Sequence, residues 1–370
     1  MKPQLRGVRA ASRIALSAAA SLVLLAGGAA ADISLPPVTV GAGIQTNFYN
    51  CDKACIYSPG TIPSGDSSVS GFALDSIRLY VNGNVTDTIK MTFNTEYDGS
   101  GPAKNKVGVL DAIGRFEFSD QFNIWAGRFL PPSDRANLYG PYYANNWAPF
   151  ADGVADFYPS VATGRDNGVA YWGQFGILKV QVGAFDGGSL NSVVADKSKL
   201  LYAARLTVDF WDPEPGYYFN GTYYGEKDLL AFGLVAQSQD SKTTASLDAL
   251  MEKRLPNGGA VTVEAEYMHD NGLSGLTTSK GWYGLGSYLF PQVVGIGKIQ
   301  LLGKYSQKTI DAGFANDSTV AADKLKTLEV DVNYIIKSFN ARVGLYYLHQ
   351  KDDLGDFSPH EIGLKLQLQM

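Results

Sequence analysis

Charged side chains recur two residues apart in this sequence, as in Glu264 and Glu266 or Arg115 and Glu117. Residues with this spacing lie on the same face of an extended strand. Two neighbouring carboxylates can then serve as an acid and base pair, or they can belong to a polar wall. We favour the wall, because Glu264 and Glu266 fall on the polar face of one predicted strand.

Nucleophilic catalysis and metal binding both lack the residues that they need. A serine hydrolase brings a Ser, a His and an Asp or Asn together. The histidines are His269, His349 and His360, which lie at the ends of predicted strands without a nucleophile beside them. The same scatter leaves a zinc site without ligands. We therefore predict that the protein is not an enzyme and that it binds no metal and no organic cofactor.

The N-terminus has the features of a secretory signal peptide. Its basic region contains Lys2, Arg6, Arg9 and Arg13. A short apolar stretch follows at 14–25, and three alanines at 29–31 offer a cleavage site before Asp32. We predict that residues 1–31 are removed; an uncleaved anchor helix is the alternative. Because four basic and no acidic residues are lost, the net charge changes from −5 to −9, which argues against nucleic acid as a partner.

The two cysteines, Cys51 and Cys55, are four residues apart. An exported chain meets an oxidising compartment, where neighbouring thiols form disulfides. We predict a local disulfide between them; two free thiols in a loop are the alternative.

Apolar and polar residues alternate along segments of about ten residues, which Gly, Pro, Asp, Asn and Ser interrupt. This pattern is typical of β-strands with one apolar and one polar face. Sixteen such strands are predicted, at 41–49, 72–84, 88–97, 108–118, 121–129, 167–174, 177–186, 199–211, 228–239, 243–253, 259–270, 280–290, 297–308, 325–336, 339–350 and 359–369. Residues 217–224, YYFNGTYY, are left in a long turn, because bacterial single-chain barrels have an even number of strands.

These strands favour an all-β fold in which residues 32–370 form one transmembrane antiparallel β-barrel. About ten residues allow a tilted strand to cross a bilayer. Tight turns such as 119–121 alternate with long connections such as 130–166, as in outer-membrane barrels, although 212–227 and 240–242 break this rule. A soluble β-sandwich is the alternative, but the strands are too many for one sandwich and no linker divides them.

A membrane-spanning sheet closes on itself, because lipid offers no hydrogen bonds to its edges. The apolar face of each strand is then expected to contact lipid, and the polar face is expected to surround a water-filled lumen. Over all the polar faces, cations and anions nearly balance, and opposed charges across a lumen sort solutes by charge and dipole. The same residues can also pair and stiffen the wall. The predicted pore-lining residues are Arg78, Lys90, Glu96, Arg115, Glu117, Lys179, Arg205, Glu264, Glu266, Lys298, Lys304 and Arg342.

The longest connection, residues 130–166, is too long for an ordinary turn, and its many aromatic residues argue against disorder. Folded inward against the barrel wall, this third long loop would narrow the pore. Its charged candidates for the constriction are Asp134, Arg135, Asp152, Asp156, Arg165 and Asp166. A cover over the outer mouth or a subunit contact is the alternative.

Three segments carry a resemblance to a known family. They are GRFLPP at Gly127–Pro132, GEKDLLAFGLVAQSQ at Gly225–Gln239 and SIRLYVNGNVTDTIKMTFNTEYDG at Ser76–Gly99. Together with the signal peptide they resemble the phosphate-selective porin O and P family, over nearly the whole mature chain. The resemblance implies a sixteen-stranded, trimeric outer-membrane channel that conducts anions such as phosphate through a lumen lined by Arg and Lys.

We therefore expect a channel for passive diffusion of small hydrophilic solutes or ions across the bacterial outer membrane. Its expected partners are outer-membrane lipid, further copies of the chain in a homotrimer, and the barrel assembly machinery. The resemblance implies a C-terminal Phe that this machinery reads, where the chain has Met370, which is apolar but has no ring. A structural or adhesive barrel with a plugged lumen is the alternative function.

Overall fold

The computed structural model describes residues 37–52, 68–98, 106–147, 164–187, 199–273, 278–315, 318–354 and 358–370. The predicted signal peptide, residues 1–31, lies outside these ranges. A helix, α1 (Arg135–Tyr143), follows the fifth strand. The strands are β1 (Val38–Cys51), β2 (Val69–Asn84), β3 (Ile89–Asp98), β4 (Lys106–Glu117), β5 (Asn123–Phe129), β6 (Asp166–Phe175), β7 (Leu178–Phe185), β8 (Leu201–Asp209), β9 (Leu229–Gln239), β10 (Lys242–Arg254), β11 (Ala260–Asn271), β12 (Thr278–Val294), β13 (Gly297–Ile310), β14 (Gly313–Ala315), β15 (Ser318–Val320), β16 (Asp323–Lys337), β17 (Ala341–Asp352) and β18 (His360–Gln369).

Sixteen of these strands form a closed barrel in which β18 returns to pair with β1. All of its strand pairs are antiparallel, and β13 pairs with β16 because β14 and β15 form a separate two-stranded sheet. Closure leaves no sheet edge, so the backbone donors and acceptors of the wall are satisfied within the wall. The prediction of an all-β barrel of sixteen strands is confirmed, and each predicted segment overlaps one barrel strand. The strands β14 and β15 were not predicted, because three residues are too few to show an alternation.

The two faces of each barrel strand differ sharply in exposure. In β18, Lys365 and Gln367 are 1% and 0% exposed, whereas Leu364 and Leu368 are 50% and 44% exposed. Successive side chains of a strand point to opposite faces, so the buried polar row points into the barrel and the apolar row points outward. The outward face therefore suits hydrocarbon, as predicted.

Successive connections lie at alternate ends of the barrel, because neighbouring strands are antiparallel. We call the end with the connections 130–165 and 311–322 the loop end, and the end with the short turns 176–177 and 295–296 the turn end. The connection 210–228, between β8 and β9, lies at the turn end but is much longer than its neighbours. As predicted, residues 217–224 form no strand. Among the described residues, no helix is long and apolar enough to cross a membrane.

Candidate functional site

The connection after β5 contains α1, whose start is set by Asp134. The Asp134 side chain accepts a hydrogen bond from the Asn137 backbone N–H at 2.9 Å, which satisfies one of the orphan donors at a helix N-terminus. Gly140 interrupts the helix with φ +62°, and Pro141 follows it. Because glycine adopts this left-handed conformation without steric cost, the chain can bend here and continue toward Trp147.

Residues 141–147 are held by inward-facing side chains of several strands. Gln367 of β18 donates to the Tyr142 carbonyl at 2.9 Å, and Arg342 of β17 donates to the Ala144 carbonyl at 2.8 Å. On β16, Glu329 accepts the Trp147 backbone N–H at 2.9 Å. The polar faces of these strands therefore serve as hydrogen-bond partners for the connection.

An inward-facing glycine makes room for the largest of these side chains. A Cβ at Gly344 of β17 would overlap the indole nitrogen of Trp147, which donates to Asn333. The Arg342 guanidinium lies 4.0 Å from the Trp147 ring centroid, within the range of a cation–π contact. Trp147 is therefore fixed between a glycine, an amide and a cation.

The connection 210–228 enters the same interior from the turn end. Tyr217 is 1% exposed, stacks on Trp125 of β5 with ring centroids 4.6 Å apart, and donates its hydroxyl to the Leu130 carbonyl at 2.8 Å. The Gly221 backbone N–H donates to the Tyr143 carbonyl at 2.9 Å. The two long connections, one from each end of the barrel, thus contact each other inside it.

A buried ionic cluster joins the two connections. Arg135 of α1 forms a two-pronged pair with Glu214 of the 210–228 connection, with Nη1 3.0 Å from the carboxylate, and both residues are almost completely buried. Arg205 of β8 forms a second pair with Asp248 of β10 at 2.7 Å. Paired geometry of this kind matches the planar fork of a guanidinium to a carboxylate.

The ring of Phe219 lies at the centre of this cluster. Arg135, Lys179 and Arg205 lie 4.7, 4.3 and 4.8 Å from its centroid. The negative face of an aromatic ring attracts cations, so Phe219 adds to the stabilisation of three buried positive charges. Lys179 also donates to the backbone carbonyl of Glu214.

Burial raises the pKa of the Glu214 carboxyl, but the charge and hydrogen bonds of Arg135, with help from Lys179 and Tyr223, outweigh that effect. The net result is a pKa below the usual value for a glutamate. Glu214 is therefore ionised at neutral pH, and the contact between the two connections is a charged one.

A cavity of about 560 Å³ lies beside α1, against the wall formed by β1 to β5. Its charged lining residues are Arg78, Arg115, Arg165 and Asp111. The polar and aromatic part of the lining includes Tyr80, Asn82, Thr92, Asn94, Tyr143, Tyr218 and Asn220. The cavity therefore combines guanidinium groups with hydroxyl, amide and aromatic surfaces.

The charges around this cavity are organised as ion pairs. Arg165 lies 2.6 Å from Asp111, and Arg78 lies 2.8 Å from Glu96. Glu117 contacts both Lys90 at 2.8 Å and Arg115 at 3.6 Å. Among the acidic residues of these pairs, Asp111 lines the cavity. Three arginines line it as well, so positive charge prevails on the cavity surface.

The other predicted pore-lining residues are dispersed. Glu264 is buried and accepts the Tyr283 hydroxyl at 2.7 Å, and Lys304 lies 4.4 Å from the same ring. Glu266 is also buried, while Lys298 lies near the turn end of β13. The structure places Arg78 and Arg115 in the cavity lining, with Glu96, Glu117 and Lys90 in the ion pairs beside them. It places Lys179 and Arg205 in the ionic cluster.

The structure places the predicted constriction residues in different environments. Asp134 and Arg135 are 1% and 0% exposed, so they present no exposed charge to a passage. Asp166 is buried at the start of β6 and accepts the Gly187 backbone N–H at 2.7 Å, whereas Arg165 lines the cavity. Asp152 and Asp156 lie outside the described residues. Cys51 is disulfide-bonded, and Cys55, its predicted partner, also lies outside those residues.

Sequence reasoning missed the residues of the connection 210–228. Glu214, Tyr217, Tyr218 and Phe219 all contribute to the interior. A signal was present, because the aromatic content that argues against disorder in 130–166 is even higher in YYFNGTYY.

A closed antiparallel barrel with an apolar outer face, a polar inner face and long connections at one end defines a class: multi-pass β-barrels of the bacterial outer membrane. No protein-family model matches the chain, and no curated protein matches it in sequence. Solved structures do match over nine tenths of the chain.

The chain is similar to OprB of Pseudomonas putida, with a TM-score of 0.60 and 10% identity over 90% of this chain and 94% of that one. It is similar to the outer-membrane channel DcaP of Acinetobacter baumannii, with a TM-score of 0.59 and 12% identity over 91% and 98%. The anion-selective porin from Comamonas acidovorans matches with a TM-score of 0.58 and 11% identity over 90% and 99%. At these identities the likeness establishes the fold.

Proposed function

We propose that the protein is an outer-membrane channel through which small hydrophilic solutes diffuse passively. The observation that carries the proposal is the cavity beside α1, which is bounded by the polar face of β1 to β5 and by both inserted connections. The part of the third long connection that the structure describes supplies its constriction, because residues 130–147 hydrogen-bond to inward-facing side chains.

We further propose that the passage favours anions over cations, small inorganic anions such as phosphate among them. Arg78, Arg115 and Arg165 line the cavity against one acidic side chain, Asp111. Guanidinium groups recognise oxyanions through fixed arrays of N–H donors. The description of the Comamonas acidovorans protein as anion-selective supports the same direction.

Single-channel recording in a planar bilayer tests this function. Purified protein is expected to give stepwise conductance, and a salt gradient is expected to give a reversal potential of the sign that anion preference requires. Arg115→Glu replaces a positive lining charge by a negative one, so it is expected to move that potential toward cations.

The matched control is Arg254→Glu, which makes the same change at an exposed position outside the cavity. It is expected to leave the reversal potential unchanged. An absence of conductance steps contradicts the channel, whereas steps with equal shifts for Arg115→Glu and Arg254→Glu contradict the anion passage alone.

A second candidate function is a structural barrel with a plugged lumen. The contact of Arg135 with Glu214 and of Gly221 with Tyr143 favours it, because two connections then share the interior. This candidate requires that no conductance be seen in the intact protein, and it predicts a surface phenotype such as adhesion instead.

The remaining expectations about assembly are proposals too. A homotrimer is supported by the trimer form of OmpT of Vibrio cholerae, to which the chain is similar with a TM-score of 0.53. Cross-linking of the detergent-extracted protein is expected to yield a species of three chains. Insertion by the barrel assembly machinery, export through a cleaved signal peptide and the lack of enzymatic activity complete the proposal.

A further inference from the structure

The outward face of the barrel becomes cationic at the loop ends of β11 to β18. Four lysines and all three histidines of the chain lie there. We call this set the cationic patch; it consists of His269, Lys280, Lys324, Lys326, His349, Lys351 and His360.

Strand register makes the patch continuous. His269 of β11 is opposite Lys280 of β12, and Thr309 of β13 is opposite both Lys280 and Lys324. Because hydrogen-bonded neighbouring strands lie about 4.8 Å apart, these side chains form one row across the strands.

The remaining members extend the row to the last strand. Lys326 of β16 is opposite Lys351 of β17, and His349 of β17 is opposite His360 of β18. The two imidazole rings stack with centroids 4.2 Å apart. The patch therefore spans six adjacent strands, or roughly 24 Å at the usual strand spacing.

Aromatic and aliphatic residues lie directly below the patch on the same outward face. Tyr267, Trp282, Leu328, Tyr347 and Ile362 are exposed by 36% to 49% and fall two residues or so closer to the barrel centre. Aromatic residues of this kind mark the interface between hydrocarbon and headgroups in membrane barrels. The patch is thus at headgroup level, next to the aromatic belt.

The positive charge of the patch is only partly compensated. Asp353 pairs with Lys326 at 2.9 Å, while no ion pair within the described residues involves Lys280, Lys324 or Lys351. Lys326 and Lys351 are directly opposite each other, a pairing of like charges that is unfavourable by itself. Asp353 also interacts with Lys324 and Lys351, so one carboxylate faces three lysines.

Two further carboxylates nearby are committed to the backbone. Asp323 accepts the N–H groups of Lys324 and Leu354, and Asp352 also accepts that of Leu354. They stabilise the strand ends and the following turn, and by strand alternation they belong to the inward face, not to the outward row.

Outward-facing lysines and histidines at the loop end are concentrated on β11 to β18, and β5 has an outward-facing arginine there, Arg128. At the loop ends of β6 to β10, the corresponding outward residues are uncharged or acidic, namely Asn167, Asp186, Tyr202, Ser238 and Thr243. A general need for solubility at the loop end would not create this asymmetry, whereas a ligand that docks on one side would.

We propose that the cationic patch binds the phosphorylated headgroup of a glycolipid in the outer leaflet of the membrane. Lysines recognise phosphate as mobile ammonium donors, and the apolar belt below them accommodates the acyl chains. The breadth of the patch exceeds that of a single phosphate ion and suits a sugar headgroup with more than one phosphate. The loop end of such a barrel faces the cell exterior, where this leaflet lies.

Native mass spectrometry of the folded protein in neutral detergent tests the proposal. The probes are lipid A with two phosphates, lipid A from which both phosphates have been removed, phosphatidylglycerol, and inorganic phosphate as a competitor. Wild-type protein is expected to bind the bisphosphorylated glycolipid at least tenfold more tightly than the dephosphorylated one. The combined substitutions Lys280→Glu, Lys324→Glu and Lys351→Glu are expected to weaken that binding at least tenfold.

The matched control is Lys337→Glu, an exposed lysine at the opposite end of β16. It is expected to bind lipid A as the wild type does. Should the triple variant not show the heat-dependent gel migration of a folded barrel, the same three positions are replaced by Gln and the comparison is repeated.

Three results would overturn the proposal. They are unchanged lipid A binding in the triple variant, equal binding of both glycolipids, and equal binding of phosphatidylglycerol. Displacement of lipid A by millimolar inorganic phosphate would likewise reassign the patch to the free ion. Conductance is measured through the interior, so failure here is distinct from failure of the proposed channel.

Discussion

Glu214 is the residue on which the contact between the two inserted connections depends. Its carboxylate accepts N–H groups of Arg135 and the hydroxyl of Tyr223 at 2.8 Å, and its side chain is 1% exposed. The pKa of Glu214 lies below its usual value because Arg135 outweighs the effect of burial. A carboxyl with a lowered pKa stabilises the folded state above its ordinary pKa of about 4.3 and loses that contribution as the pH falls through the lowered pKa.

The first prediction concerns this ion pair. Glu214→Gln removes the closer of two counter-charges from the buried Arg135 guanidinium, whose Nε also lies 4.0 Å from Asp248, and breaking a buried ion pair typically costs about 3–5 kcal/mol. We expect a loss of that order in the free energy of unfolding, measured by urea titration of the protein in lipid at pH 7. The loss relative to wild type is expected to shrink as the pH falls below the ordinary glutamate pKa of about 4.3, and to be smallest below the lowered pKa of the folded state.

The control for this prediction lies in the same connection. Asp228 pairs with Lys253 at the exposed surface, where ion pairs contribute little, so Asp228→Asn is expected to have a small effect. Equal effects of Glu214→Gln and Asp228→Asn would show that the buried pair does not anchor the connection.

At the scale of the elements, the strands could be predicted from the sequence because each one separates lipid from water. That boundary imposes an alternation of apolar and polar residues on every barrel strand, and β18 shows it over its whole length. Arg78 and Arg115 could be assigned to the inward face by the same alternation, and both line the cavity.

The position of the connection 210–228 could not be predicted in the same way. Its aromatic residues suit an interfacial belt, a further strand or a buried insert equally well, and local sequence does not distinguish these environments. Its partner residue is remote, since Arg135 and Glu214 are 79 positions apart. That long-range contact, and not any single strand, determines which predicted lumen charges border open space and which are covered.

The second prediction concerns this connection as an element. Replacing residues 213–224 by a short glycine-containing turn removes Tyr217, Phe219 and the partner of Arg135 from the interior. We expect a severalfold rise in single-channel conductance, because the interior of a sixteen-stranded barrel is wide enough to hold a water channel.

The control is Glu226→Ser, which changes an exposed residue of the same connection and is expected to leave conductance unchanged. Heat-dependent gel migration checks that the shortened protein still forms a barrel. A folded variant with the conductance of the wild type would mean that the connection does not obstruct the passage.

At the scale of the whole molecule, closure makes the two ends of the chain into neighbours. Strands β1 and β18 pair through nine residues, from Gly43 with Gln369 to Cys51 with Glu361. A one-residue slip in this seam would turn every lipid-facing side chain of β18 inward. The register is thus held by the same difference between lipid and lumen that shapes each strand.

The third prediction tests that register through a covalent seam. Ile44 and Leu368 are directly opposite each other, and both face outward. Opposed residues of an antiparallel pair lie at Cα distances that a disulfide can bridge. With Cys51 and Cys55 replaced by Ser, the variant Ile44→Cys with Leu368→Cys is expected to oxidise in the folded protein. The disulfide is expected to raise the temperature at which the barrel loses its folded gel mobility, because it constrains nearly the whole unfolded chain. Conductance is expected to stay unchanged, since neither side chain faces the lumen.

The paired control, Ile44→Cys with Leu364→Cys, moves one thiol four residues along β18, about 13 Å away, and is expected to remain reduced. Oxidation of the control in preference to the first variant would place β1 and β18 in a register shifted by four residues, with the same faces inward but different cross-strand partners.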